Sequence, residues 1–84
     1  MSNLQVEIIS ITGLLYKGGC YLAVLPSTSG EIGIMKGHES LISLLVEGEI
    51  KIYSSDNNLE NSFKISKGFA EIEDSNKLIV LIDQ

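Results

Sequence analysis

His38 is the sole histidine and Cys20 the sole cysteine of these 84 residues, which bounds at once the chemistry the chain can do. A zinc centre or a nucleophile–histidine pair draws on several such side chains, so no histidine-based metal cluster or catalytic pair can be assembled here. His38 follows Gly37 and reads as a polar turn residue. Cys20 heads an apolar run and reads as a small core residue, since free cysteine is among the most buried types. Gly30, Gly33 and Gly37 match neither the phosphate-cradling G-x-x-x-x-G-K-[ST] nor the dinucleotide G-x-G-x-x-G pattern, and are read as turn and bulge residues. Glu31, Glu39, Glu47, Glu49, Glu71, Glu73 and Asp74 lie beside turns or alternate outward, the pattern of solvated edge charge. Five aromatics (Tyr16, Tyr21, Tyr53, Phe63, Phe69) have no basic cluster around them, so a nucleic-acid stacking face is not expected. No catalytic, cofactor-binding or metal-ligating set emerges. The chain is expected to be a non-enzyme that presents surfaces to partners.

The elements that position those residues must fit in one small unit, residues 1–84. Formal net charge is −5, which opposes phosphate backbones and anionic lipid. A lone cysteine points to a reducing compartment. No apolar run reaches the ~20 residues of a membrane helix, and Met1–Glu7 is polar rather than signal-like. The expectation is a soluble, acidic, intracellular domain that does not itself insert in a membrane.

Twelve Ile and four Val against two Ala favour sheet over helix. Leu4, Val6 and Ile8 alternate with Gln5 and Glu7. Breaks are expected at Thr12–Gly13, at Gly18–Gly19, over Ser27–Gly30, over Lys36–Ser40, over Ser54–Asn58, at Lys67–Gly68 and over Glu73–Asn76. Gly33 suggests a bulge or a close backbone contact inside a strand. Leu41, Leu44 and Leu45 have helical spacing, yet the segment is too short for a helix and is read as a strand. Eight to ten short strands result. The fold class is all-β, a small β-sandwich or flattened barrel.

Two stretches carry more than a generic β-domain. Pro26-Ser27-Thr28-Ser29-Gly30-Glu31-Ile32-Gly33-Ile34-Met35-Lys36-Gly37-His38-Glu39-Ser40-Leu41 resembles P-x-x-x-G-E-x-G-[IVL]-x-x-x-H-x-x-[LM], and Gly68-Phe69-Ala70-Glu71-Ile72 resembles the end of G-G-F-x-E-[VI]. Both are signatures of the N-terminal β-sandwich domain of the epsilon subunit of F-type ATP synthase. The flanks are similar too: Val6–Ser10, Leu15–Gly18, Gly48–Ile52 and Leu78–Leu81 look like that family's other strands, in unbroken order over residues 4–83. Ile11 stands where proline is common, and Lys67 replaces the first glycine of the second block.

The resemblance implies a non-catalytic rotor subunit at the foot of the central stalk, between the gamma subunit and the c-subunit ring. Such a subunit couples proton flow to ATP synthesis, peripherally, at the cytoplasmic face of the inner membrane. Ser27, Thr28, Ser29, Gly30 and Glu31 would face the ring's polar loops; His38, Glu39 and Leu41 would face gamma. The family continues into a C-terminal helical hairpin associated with inhibiting hydrolysis and, in some members, with binding ATP; with the sequence ending at Gln84, a chain without that hairpin is expected, and no cofactor. The alternative is a biotinyl or lipoyl carrier domain modified on Lys36, since Met35-Lys36 at a turn partly matches that motif.

Overall fold

The computed structural model describes residues 3–55 and 57–84. Alternation sets the first strand, β1 (Leu4–Ser10): Leu4, Val6, Ile8 and Ser10 point inward and Gln5, Glu7 and Ile9 outward. Eight more follow among the described residues: β2 (Gly13–Cys20), β3 (Leu22–Ser27), β4 (Gly30–Ile34), β5 (Leu41–Leu45), β6 (Gly48–Ser55), β7 (Asn58–Ile65), β8 (Lys67–Asp74) and β9 (Lys77–Asp83). The expected all-β sandwich of eight to ten strands is the fold observed.

The strands form one hydrogen-bonded path in the order β2-β1-β9-β8-β5-β3-β6-β7, with β4 on the other edge of β3. The first and last strands, β1 and β9, pair in parallel, whereas every other pairing is antiparallel. Between β5 and β3 the path narrows to one pair, Ser27 with Leu45. There the sheet folds over, so that β2-β1-β9-β8-β5 becomes one layer and β4-β3-β6-β7 the other. The outer strands of the two layers meet where the Tyr16 and Phe63 rings pack edge to face, centroids 5.9 Å apart. Enclosed between the layers are Leu4, Ile8, Leu25, Ile34, Ile50 and Leu78, each with no exposed surface.

Irregularities in the β1–β2, β6–β7 and β8–β9 pairs depart from simple alternation. Opposite Ile8 and Ile9, β2 carries an extra residue, Leu15, so that both Leu15 and Tyr16 lean on the core. Glu60 in β7 and Glu73 in β8 are similarly extra. Three expectations are corrected. Gly18 and Gly19 lie inside β2, opposite Val6 and Gln5, and form no turn. Gly33 pairs regularly with Val24, so there is no bulge; its bare Cα instead makes room for Leu22, whose Cδ1 would sit 3.3 Å from a Cβ. Lys67–Gly68, read as a turn, opens β8. Of the loop expected over Ser54–Asn58, Asp56 lies outside the described residues, and β6 and β7 flank it as a hairpin.

Gly68 is fixed by packing, because a Cβ there would stand 2.6 Å from the Leu81 carbonyl oxygen. Gly68→Ala must therefore shift the β8–β9 ladder. We expect Ile34→Ala, at a site with no exposed surface, to cost ~2–5 kcal/mol. Ile42→Ala, at 66% exposure, should change stability by less than ~0.5 kcal/mol. Urea denaturation midpoints check both; comparable losses would mean that Ile42 is not a surface residue.

Candidate functional site

Two surface regions stand out, and the fold-over corner joins them. The first is the β3–β4 turn. Ser27 pairs with Gly30 across it, and Gly30 takes φ +109°, a conformation that favours glycine. The Ser27 hydroxyl donates to the Gly30 carbonyl (2.6 Å) and accepts from the Ser29 N–H (3.1 Å). Only Thr28 and Ser29 form the turn itself, so this is a tight, self-bonded hairpin tip rather than an open loop. Ser27 is buried and organises the turn, while Thr28, Ser29, Gly30 and Glu31 are exposed. Glu31 lies in β4, its carboxylate 3.8 Å from the Lys51 ammonium. Both groups are solvated, so this pair contributes little to stability.

The second region is the outward face of β5, β8, β9, β1 and β2. Cross-strand register lines up Leu44, Phe69, Leu81, Ile9 and Leu14 in one row. The next row holds Ile42, Glu71, Ile79 and Glu7. Leu44 and Ile42 are more than 60% exposed, Leu14 57% and Leu81 45%. A half-solvated sheet normally alternates apolar-in with polar-out, whereas strands covered on both faces read as apolar runs. Leu41–Val46 and Leu78–Ile82 are runs of that second kind. Sequence reasoning classed them only as strands; the near-absence of polar residues was the signal that their outer face also awaits cover.

The turn and the face are in contact. Thr28 N–H donates to the Leu44 carbonyl (3.3 Å) and Val46 N–H to the Pro26 carbonyl (2.9 Å). A groove of about 470 Å³ lies between them, lined by Thr28, Leu44, Gly68 and Leu81 among others.

His38 and Glu39 lie on the crossover from β4 to β5 and Leu41 opens β5, at the other end of the apolar face. Gly37 N–H donates to the Ser75 carbonyl (2.7 Å), which ties the crossover to the β8–β9 turn. His38 is half-buried, its Nδ1–H donating to the Glu39 carbonyl (2.8 Å). Glu39 is exposed, whereas Leu41 leans on the core, so the outward apolar surface begins with Ile42. Lys36 sits on this same crossover. It joins strands that do not pair with each other, unlike the hairpin tip that a carrier domain uses to present its lysine.

Among the described residues no group of three or more His, Cys, Asp or Glu side chains is placed to hold a metal. Cys20 is buried at the seam of the two layers. Burial, and then the Glu60 carboxylate, push its thiol up to about 11, against a smaller opposing effect of a backbone hydrogen bond with Leu22. Tyr16 is raised by the same two causes in the same order. An unfolded thiol ionises near 9 and the folded one near 11, so the unfolded state gives up its proton first. Stability is therefore complete below pH 9 and falls as pH rises toward 11. Melting temperatures across that window should decline, and less steeply in Cys20→Ala; identical slopes would contradict the assigned shift.

Comparison with known proteins agrees with this architecture. Residues 3–84 match the family described as the ATP synthase delta/epsilon chain β-sandwich domain. The ATP synthase epsilon chain of Sulfurimonas denitrificans is 40% identical over 83 residues, spanning 99% of this chain and 62% of that one. That of Campylobacter fetus is 37% identical over 83 residues, 99% of this chain and 63% of that one. The chain thus spans about three-fifths of the length of the curated relatives it matches. In fold it is similar to a chain of the Euglena gracilis mitochondrial ATP synthase (OSCP/F1/c-ring), with TM-score 0.86 and 18% identity over all of this chain and 52% of that one. It is also similar to one of the Tetrahymena thermophila mitochondrial ATP synthase central stalk and c-ring, with TM-score 0.81 and 13% identity over 99% and 65%. With a match over all but its first two residues and relatives at this level of identity, the chain belongs to the ATP synthase delta/epsilon β-sandwich family, as an epsilon-type member.

Proposed function

We propose that this domain is a non-catalytic part of the central stalk, held between the gamma subunit and the c-subunit ring, where it helps couple proton flow to ATP synthesis. The observation that carries this reading is the contiguous exposed apolar face of Ile42, Leu44, Leu81 and Leu14, the kind of surface that marks a protein interaction site. Gamma takes the side that runs from His38 and Glu39, past the edge of Leu41, onto Ile42, Leu44 and Leu81. The ring takes the exposed tip, Thr28, Ser29, Gly30 and Glu31, with Ser27 holding its shape. The domain performs no bond chemistry and binds no cofactor; its work is to keep two contact surfaces in fixed relation. No helix among the described residues is long and apolar enough to cross a membrane. The domain meets the membrane through these protein contacts, peripherally, on the cytoplasmic face.

The opposing faces differ in kind. Apolar cover supplies affinity, while the single charge at Glu31 sets register against polar ring loops. Reconstitution with purified gamma and c-ring tests both. Glu31→Lys should melt within ~1 kcal/mol of the parent, given how little an exposed pair contributes. It should still bind gamma and yet assemble poorly with the ring. A variant that couples like the parent would remove the ring contact from this turn. An intact mass carrying a biotin or lipoyl adduct on Lys36 would overturn the stalk reading altogether.

A further inference from the structure

Glu71 is a charge set between two isoleucines in the second row of the apolar face. In β8 its neighbours across the strands are Ile42 on one side and Ile79 on the other, with Phe69 two residues back on the same face. Cross-strand side chains stand ~5 Å apart on a common face, so Glu71 is fenced by hydrocarbon on three sides. Its row-mate Glu7 has a cation, the Lys77 ammonium at 3.8 Å. The ion pairs among the described residues are Glu31–Lys51, Lys67–Asp83 and Glu7–Lys77, and none includes Glu71.

In the uncovered domain water solvates this carboxylate. Any partner that covers Ile42, Leu44 and Leu81 must strip that water away. An ionised carboxylate placed under an apolar cover without a counter-charge is strongly unfavourable, whereas an arginine or lysine opposite it makes a charge-assisted pair. The acid thereby selects: a purely apolar surface is rejected, and one with a cation at the right position is accepted. We infer that Glu71 is the specificity-determining residue of the apolar face, and that the partner presents to it a guanidinium or ammonium group set within an apolar patch. This inference rests on the reading that gamma covers the face, and it names the chemistry that gamma must show there.

The test uses this chain and purified gamma, with affinity measured by calorimetry at low and high salt. Glu71→Gln keeps the shape and the folding but removes the charge. We expect it to weaken binding tenfold or more and to flatten the salt dependence. Glu60→Gln, the same charge change in β7 of the other layer, should stay within twofold. Ile42→Asp and Leu81→Asp, both at exposed sites, should each weaken binding strongly. If the aspartate variants weaken binding and Glu71→Gln does not, the inference falls while the reading of the face stands. If the aspartate variants bind like the parent, gamma does not cover this face and both fall. Equal losses for Glu71→Gln and Glu60→Gln would reduce the effect to net charge and overturn the assignment to Glu71. Thermal melts of all four variants check that each is folded.

Discussion

The corner where Ser27 meets Leu45 is the constraint on which the rest of the molecule depends. A sheet of nine strands has two faces, and 84 residues cannot cover both. Folding the sheet on itself at one narrow point lets each layer bury the other's inner face, with Leu25, Ile34 and Ile50 from one side against Leu4, Ile8 and Leu78 from the other. The hydrogen bonds from Val46 to Pro26 and from Thr28 to Leu44 hold that point. Pro26 is buried there, and Gly48 passes so close that a Cβ would stand 2.8 Å from the proline ring. What the fold-over leaves outside is equally determined: among the described residues no third layer covers the outer surface of β5, β8, β9 and β1.

That geometry also explains how much could be read from residue order. Inward positions on β1 and β6 follow from alternation, since Val6 stands between Gln5 and Glu7 and Ile50 between Glu49 and Lys51. The turn at Gly30 was legible because small polar residues precede a glycine. Bulges were not. Leu14-Leu15-Tyr16 looks like an ordinary apolar run, and only the opposing strand reveals Leu15 as the extra residue. Gly18–Gly19 carries the composition of a turn, yet the ladder to β1 outweighs local preference. The break expected over Ser27–Gly30 narrowed to a tight turn for a related reason: composition indicates a turn, but only geometry shows the Ser27 hydroxyl closing it.

The site was legible in its motifs and illegible in its orientation. His38 and Glu39 lie on a crossover anchored to Ser75, which no local pattern announces. Leu41 and Ile42 are adjacent, and their fates are opposite because a strand's side chains alternate. One leans on the core and the other is 66% exposed. Which of two neighbouring apolar residues faces out depends on register against β8, a long-range property.

The proposed rotor role carries a mechanical requirement that these details meet together. Two contacts that must turn as one need a stiff path between them, and loops make poor paths. Here the hairpin tip is joined to the apolar face by backbone: from Thr28 to Leu44, then across β5, β8, β9 and β1 by continuous ladders. The parallel pairing of β1 with β9 closes the layer with the two ends of the domain, so that neither terminal strand is free to peel alone. Stiffness in so small a body comes from hydrogen-bonded register, since the core is only one side chain thick on each layer. Covering the outer face would add what the described residues do not supply. A partner that binds the folded state alone raises stability with its own concentration. Under the proposed function, assembly and folding then depend on one another, and the surface most in need of cover is the one proposed as the joint.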